Sequence, residues 1–158
     1  MMERPMKLYV LRHGEAEPHA RSDAERGLTR RGEADVRAVA MAAANCLGAL
    51  QTVISSPYQR ARQTAAALMR ALGFGGELMI APGLTPDGSP RGLAALVEGS
   101  EAGELLLVSH QPLVGELLSY LCDDDALEPM GTAHLAALEL TAFARGGAEL
   151  LWRERPPR

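Results

Sequence analysis

A chain of 158 residues, 47% apolar and 23% charged, has the size and composition of one folded domain that buries its own core without metal or disulfide staples. Its net charge of −4 argues against nucleic acid as the main partner, although eight of its sixteen Lys and Arg fall within the first 37 residues. No apolar run reaches the length of a signal-peptide core or a membrane span, so a cytoplasmic protein with no membrane partner is expected.

The first element is the β-prone run Lys7 to Leu11, a buried strand that ends at Arg12-His13-Gly14. Residues 14–28 are polar and carry Pro18 and Gly27, the composition of a long loop. Thr29 is the expected N-cap of a helix whose apolar face is Val36, Val39, Ala40, Ala43 and Leu47. Thr52 to Ser55 is a second strand. A second helix starts with Ser56 as N-cap, Pro57 at the first helical position and Gln59 three residues after the cap. It should bury Ala61, Ala65, Leu68 and Leu72 and stop at Gly73.

Leu78 to Ile80 is a weaker strand, followed by a Pro/Gly-rich segment from Pro82 to Gly92 and a short helix from Leu93 to Val97. Leu105 to Val108 is continuously apolar, as in a central strand covered on both faces. It leads through Ser109-His110-Gln111-Pro112 into a helix bearing Leu113, Leu117, Leu118 and Leu121. Ala133 to Leu140 and Ala148 to Trp152 read as a terminal hairpin turning at Arg145-Gly146-Gly147, and residues 153–158 as a frayed tail. Cys46 and Cys122 lack a CxxC spacing and read as free, buried thiols of a reducing compartment.

Strands alternating with helices imply an α/β fold with a mostly parallel sheet, the whole of residues 1–158 forming one domain. In such sheets ligands bind beyond the carboxyl ends of the strands. Three of those ends carry residues suited to phosphate chemistry: Arg12-His13-Gly14, Ser55 to Arg60, and Ser109-His110. A neutral imidazole attacks phosphorus well, and its N–P bond is easily hydrolysed afterwards. Planar guanidinium groups bind the phosphoryl oxygens in pairs, which suits Arg12 and Arg60. His110 can add a further donor, and Gly14 lets the backbone pass close to a ligand. His19 and His134 lack this setting and read as a loop and a late-strand residue. The alternation His13-x-Glu15-x-Glu17-x-His19 sits on no rigid scaffold, so neither a metal nor a cofactor is expected. Asp123-Asp124-Asp125 reads as a solvated turn.

At these residues the sequence resembles the histidine phosphatase superfamily, which includes the cofactor-dependent phosphoglycerate mutases. The matching blocks are Leu11-Arg12-His13-Gly14-Glu15, Leu28-Thr29-x-x-Gly32, Ser55-Ser56-Pro57-x-x-Arg60-Ala61-x-Gln63-Thr64-Ala65, and Val108-Ser109-His110. The resemblance implies a three-layer, phosphoglycerate mutase-like fold with helices on both faces of the sheet. It also implies phosphorylation of His13 and a phosphate pocket formed by Arg12, Arg60 and His110.

Within that group the chain is similar to the small phosphohistidine phosphatases of the SixA type, through Ser22-Asp23-x-x-Arg26-x-Leu28-Thr29, Leu84-Thr85-Pro86-x-Gly88 and Ser109-His110-x-Pro112-Leu113-Val114-Gly115. Only 49 residues separate Arg60 from His110, too few for a lid subdomain, so an open site is expected, with Arg26 at its rim. A phosphohistidine substrate releases an imidazole, which needs less general-acid help than an alkoxide. The expected substrate is therefore phosphohistidine on a protein partner. The alternatives are a phosphomonoesterase for small phosphorylated metabolites, with Asp87 or a nearby Glu as acid, and a non-catalytic phosphoprotein-binding module.

Overall fold

Successive side chains of a strand point to opposite faces, so a continuously apolar strand needs cover on both. In a computed structural model describing residues 2–157, β1 (Met6–Arg12) sends Leu8 and Val10 into one core and Tyr9 and Leu11 into another, all of them buried. The remaining elements are α1 (Arg30–Ala42), β2 (Thr52–Ser55), α2 (Gln59–Leu72), β3 (Leu78–Ile80), α3 (Ala94–Glu98), β4 (Glu104–Ser109), α4 (Leu113–Cys122), β5 (Leu135–Leu140) and β6 (Ala148–Glu154). Helices α1 and α2 cover Tyr9, Leu11, Val53, Leu106 and Val108 with Val36, Val39, Ala61, Ala65 and Leu68. On the other face, α3 and α4 cover Leu8, Val10, Ile54, Leu105 and Leu107 with Val97, Leu113, Leu117, Leu118 and Leu121. These are the three layers expected of the sequence.

The six strands lie in the order β3-β2-β4-β1-β5-β6. β3, β2, β4 and β1 are mutually parallel, and β5 and β6 add antiparallel strands at one edge. β4 lies between β1 and β2, with Arg12 paired to Ser109 and Ser55 paired to Val108. That register brings the residues following β1, β2 and β4 to one edge of the sheet.

Thr29 caps α1 as expected, its Oγ1 accepting from the Gly32 amide at 2.9 Å. The helix ends at Ala42, so Leu47 reaches the core from the turns that follow. Gly73, with φ at +64°, ends α2 in the left-handed conformation that glycine adopts without steric cost. The start of α2 corrects the reading of Ser56 as N-cap. The Ser56 amide donates to the Val108 carbonyl and extends the β2–β4 ladder, so the helix opens two residues later with Tyr58 as N-cap. Leu72 is only half-buried.

Three further expectations change. The loop over residues 14–28 contains a 3-10 turn at Asp23–Glu25 and a bridge between Ala16 and Leu28. The frayed tail begins later than residue 153, because Arg153 pairs with Ala136 in β6 and its guanidinium bonds the Glu128 carbonyl; Arg158 lies outside the described residues. Cys46 is exposed and Cys122 half-buried, since Cys46 falls in the surface turns after α1.

Candidate active site

Each strand end delivers one part of the site. β1 ends at Arg12, and His13 is held by its amide, which donates to the Ser109 carbonyl of β4 at 3.0 Å. The His13 ring is 7% exposed. Its Nδ1 lies 2.7 Å from the Gly14 carbonyl oxygen, an acceptor only, so Nδ1 carries the proton and Nε2 keeps its lone pair. That lone pair accepts a hydrogen bond from the Arg60 Nε at 3.4 Å. Burial, with Arg60, Arg12 and Arg26 nearby, outweighs the Gly14 hydrogen bond and brings the His13 pKa down to about 4. The imidazole is therefore neutral at physiological pH, as a nucleophile must be.

Arg60 lies in the first turn of α2 and is buried. Its Nη1 donates to the Asp23 backbone carbonyl at 2.7 Å and its Nη2 pairs with the Asp23 carboxylate at 3.2 Å, which leaves Nε turned toward His13. The Tyr58 ring lies beneath the guanidinium at 5.0 Å. Thr64 joins the two loops: its hydroxyl donates to the Arg60 carbonyl and accepts from the Gly14 amide.

His110, at the end of β4, is 1% exposed, and its ring centroid lies 5.0 Å from that of His13. Its Nε2 contacts the Ser56 hydroxyl at 2.7 Å. Burial, then His13 and Arg60, lower the His110 pKa to about 3. Arg12 donates from Nη1 to the Met130 carbonyl at 3.0 Å, and burial together with Arg60 lowers its pKa.

Among the described residues, just two buried side-chain polar atoms have no hydrogen-bond partner: Arg12 Nε and His110 Nδ1. An unpaired buried polar group costs roughly 1–3 kcal/mol. Both belong to this cluster around Arg60 and His13. The Arg12 and Arg60 guanidinium groups, the first with its Nε unpartnered, and the unpartnered His110 Nδ1 surround the His13 imidazole and match the needs of a bound phosphoryl group.

His13, Arg12, Arg60 and His110 thus come together from three strand ends. Arg26 stands at the edge, its Nε on the Asp23 carboxylate at 2.9 Å and its Nη1 on the Glu17 carbonyl at 3.0 Å. Gly14 lies against the start of α1. Its amide donates to the Thr64 hydroxyl, and a Cβ there would come within 2.7 Å of the Gly32 carbonyl, so the backbone of α1 leaves no room for a side chain. His19 is exposed, and His134 immediately precedes β5, where its carbonyl accepts from the Arg12 amide.

Sequence reasoning assigned no part in the site to Ser56, Tyr58 or Asp23. A serine followed by proline signals a helix cap, which hid the contact with His110. No local pattern announces that Asp23 binds an arginine 37 residues away. Asp87 is exposed and accepts from the Thr85 hydroxyl at 2.6 Å, a bond that lowers its pKa. At Asp23, burial raises the pKa, but hydrogen bonds from Arg26 and Arg60 outweigh it and the net shift is downward. Cavities of about 600 and 650 Å³ lie toward the opposite ends of the strands, around Gln51 and Ala102, and contain none of these residues.

Residues 8–85 match the histidine phosphatase superfamily (branch 1). The phosphohistidine phosphatase SixA of Escherichia coli (strain K12) is 29% identical over 144 residues, 89% of each chain. A SixA homolog of Haemophilus influenzae is 31% identical over 126 residues, 73% of this chain and 77% of that one. A solved structure of the protein histidine phosphatase SixA complexed with tungstate superposes with a TM-score of 0.85 at 29% identity, covering 96% of this chain and 97% of that one.

Proposed function

The chain belongs to the histidine phosphatase superfamily and is a phosphatase of that group, and from this premise we propose that it removes phosphoryl groups from phosphohistidine on a protein partner, by way of a phosphorylated His13. The observation that carries the reading is the buried His13 imidazole, neutral and with its lone pair on Nε2 beside the Arg60 guanidinium.

In the first step the His13 Nε2 lone pair attacks phosphorus and the bond from phosphorus to the substrate nitrogen breaks. The departing imidazole keeps that electron pair, and a protonated substrate ring needs no proton from the enzyme. Arg12 and Arg60 neutralise the phosphoryl oxygens as charge moves among them. In the second step a water oxygen attacks the phosphoryl group of His13, the N–P bond breaks, inorganic phosphate leaves with the water proton redistributed to solvent, and the lone pair returns to Nε2.

A phosphomonoester would instead expel an alkoxide, which requires a carboxylic acid that is protonated near neutrality. Asp23 and Asp87 are both shifted the other way. The likeness to SixA-type proteins over most of the chain supports the same substrate class. A turnover panel tests the reading: phosphohistidine in a phosphotransfer protein against phosphoglycerate, sugar phosphates and phosphoserine. Faster hydrolysis of phosphohistidine is expected. Preferential hydrolysis of the small esters would assign the protein to metabolites, and no turnover of either, with binding retained, would make it a phosphoprotein-binding module.

A further inference from the structure

We infer that Ser56 is a positioning residue whose hydroxyl donates to His110 Nε2, which keeps the imidazole proton on Nδ1 as a donor for the phosphoryl group. The inference rests on the reading of this cluster as a phosphoryl site.

Two fully buried side chains must satisfy their hydrogen bonds on each other. Ser56 is 0% exposed and His110 1% exposed. The Ser56 Oγ already accepts from the Tyr58 amide at 3.2 Å. Its remaining contact is His110 Nε2 at 2.7 Å. If Nε2 carried the His110 proton, it would donate to Ser56, and two buried groups would be orphaned: the serine hydroxyl proton with no acceptor and the Nδ1 lone pair with no donor. If Nδ1 carries the proton, Ser56 donates to Nε2, and only the Nδ1–H lacks a protein partner. Each buried orphan is costly, so the second arrangement is favoured. It is also the useful one, because an N–H attracts a phosphoryl oxygen whereas a bare imidazole lone pair repels it.

The backbone makes Ser56 available for this. Its amide is held by Val108 and its carbonyl accepts from the Ser55 hydroxyl at 2.8 Å, so the residue is fixed at the end of β2 between the sheet and α2. Tyr58 packs edge-on against the His110 ring at 5.0 Å between centroids. Ser56 therefore contributes to the site through His110 and does not itself contact the phosphoryl group.

Nitrogen-15 NMR of the histidine rings at pH 7 tests the assignment on the unaltered protein. The expected result is a protonated Nδ1 and an unprotonated Nε2 for His110; the opposite tautomer would overturn the inference, whatever the enzyme turns over. Kinetics give the second arm. Ser56→Ala should lower kcat by at least about tenfold with little change in KM, and should cost nothing further when added to His110→Ala. An equal loss in both backgrounds would mean that Ser56 acts on the fold and not through His110. Loss of turnover on every substrate in the unaltered protein would instead refute the phosphatase reading while leaving the tautomer result intact.

Discussion

The Nε of Arg60 stands 3.4 Å from the Nε2 of His13, and the other two nitrogens of that guanidinium are both taken by Asp23. Asp23 therefore aims the arginine, and the arginine in turn meets whatever is bonded to His13. The permanent charge lies beside the nitrogen that would carry the phosphoryl group.

Replacing Arg60 by Ala should lower kcat about 10²- to 10³-fold, the usual cost of losing one donor to a transition-state oxygen. Arg60→Lys should recover little, since an ammonium cannot hold the Asp23 fork and also face His13. The fold should survive, because α2 is anchored by Ala61, Ala65 and Leu68, and removing Arg60 relieves the field it exerts on Arg12. Steady-state kinetics with a thermal melt check this; a large drop in melting temperature would point to a structural role.

Stability should rise with pH between about 3 and the ordinary histidine pKa near 6.5. Burial holds His13 down to about 4 and His110 down to about 3 in the folded state. Within that window the unfolded chain binds more protons than the folded one, so stability is complete above pH 6.5 and is lost as pH falls. Denaturant unfolding at pH 7 and pH 5 measures the difference. A variant with Gln at positions 13 and 110 should lose less stability over the same interval than the unaltered protein.

Gly14 and Gly32 form a close backbone crossing between the β1 loop and the start of α1. A Cβ on Gly32 would overlap the Glu15 carbonyl oxygen, and the obstructing atoms are backbone. Gly32→Ala should destabilise by about 1–3 kcal/mol or more and displace the loop that carries His13. Urea unfolding and kcat report the two effects, and a variant with wild-type stability would contradict the crossing.

Asp87→Asn should leave turnover of phosphohistidine within about twofold. The side chain is exposed, bonded to Thr85 and held ionised. A loss of tenfold or more would restore Asp87 as the general acid and favour the phosphomonoester reading.

The layered fold was legible because its signals are local. Continuous apolar strands such as Leu105 to Val108, the Thr29 cap and the Gly73 stop each depend on a few neighbouring residues. The convergence of His13, Arg60 and His110 followed from topology, since parallel strands place their carboxyl ends along one edge. What stayed hidden depends on contacts between distant segments. Ser56 carries a cap signature, yet its amide joins β4 and its hydroxyl meets His110. The approach of α1 to Gly14, which leaves no room for a side chain there, is announced by no local pattern. The tail extended β6 to Glu154 because Arg153 found carbonyl partners at Glu128 and Pro129 that no periodicity announces.

The central claim is covalent: a phosphoryl group passes through His13 Nε2. Brief incubation with a radiolabelled phosphohistidine phosphotransfer protein, followed by denaturation and peptide mapping, tests it most directly. An acid-labile, base-stable label is expected on the peptide containing His13, absent from His13→Ala and present in a folded Asp87→Asn control. A label that persists in His13→Ala, or turnover that survives that substitution, would contradict it.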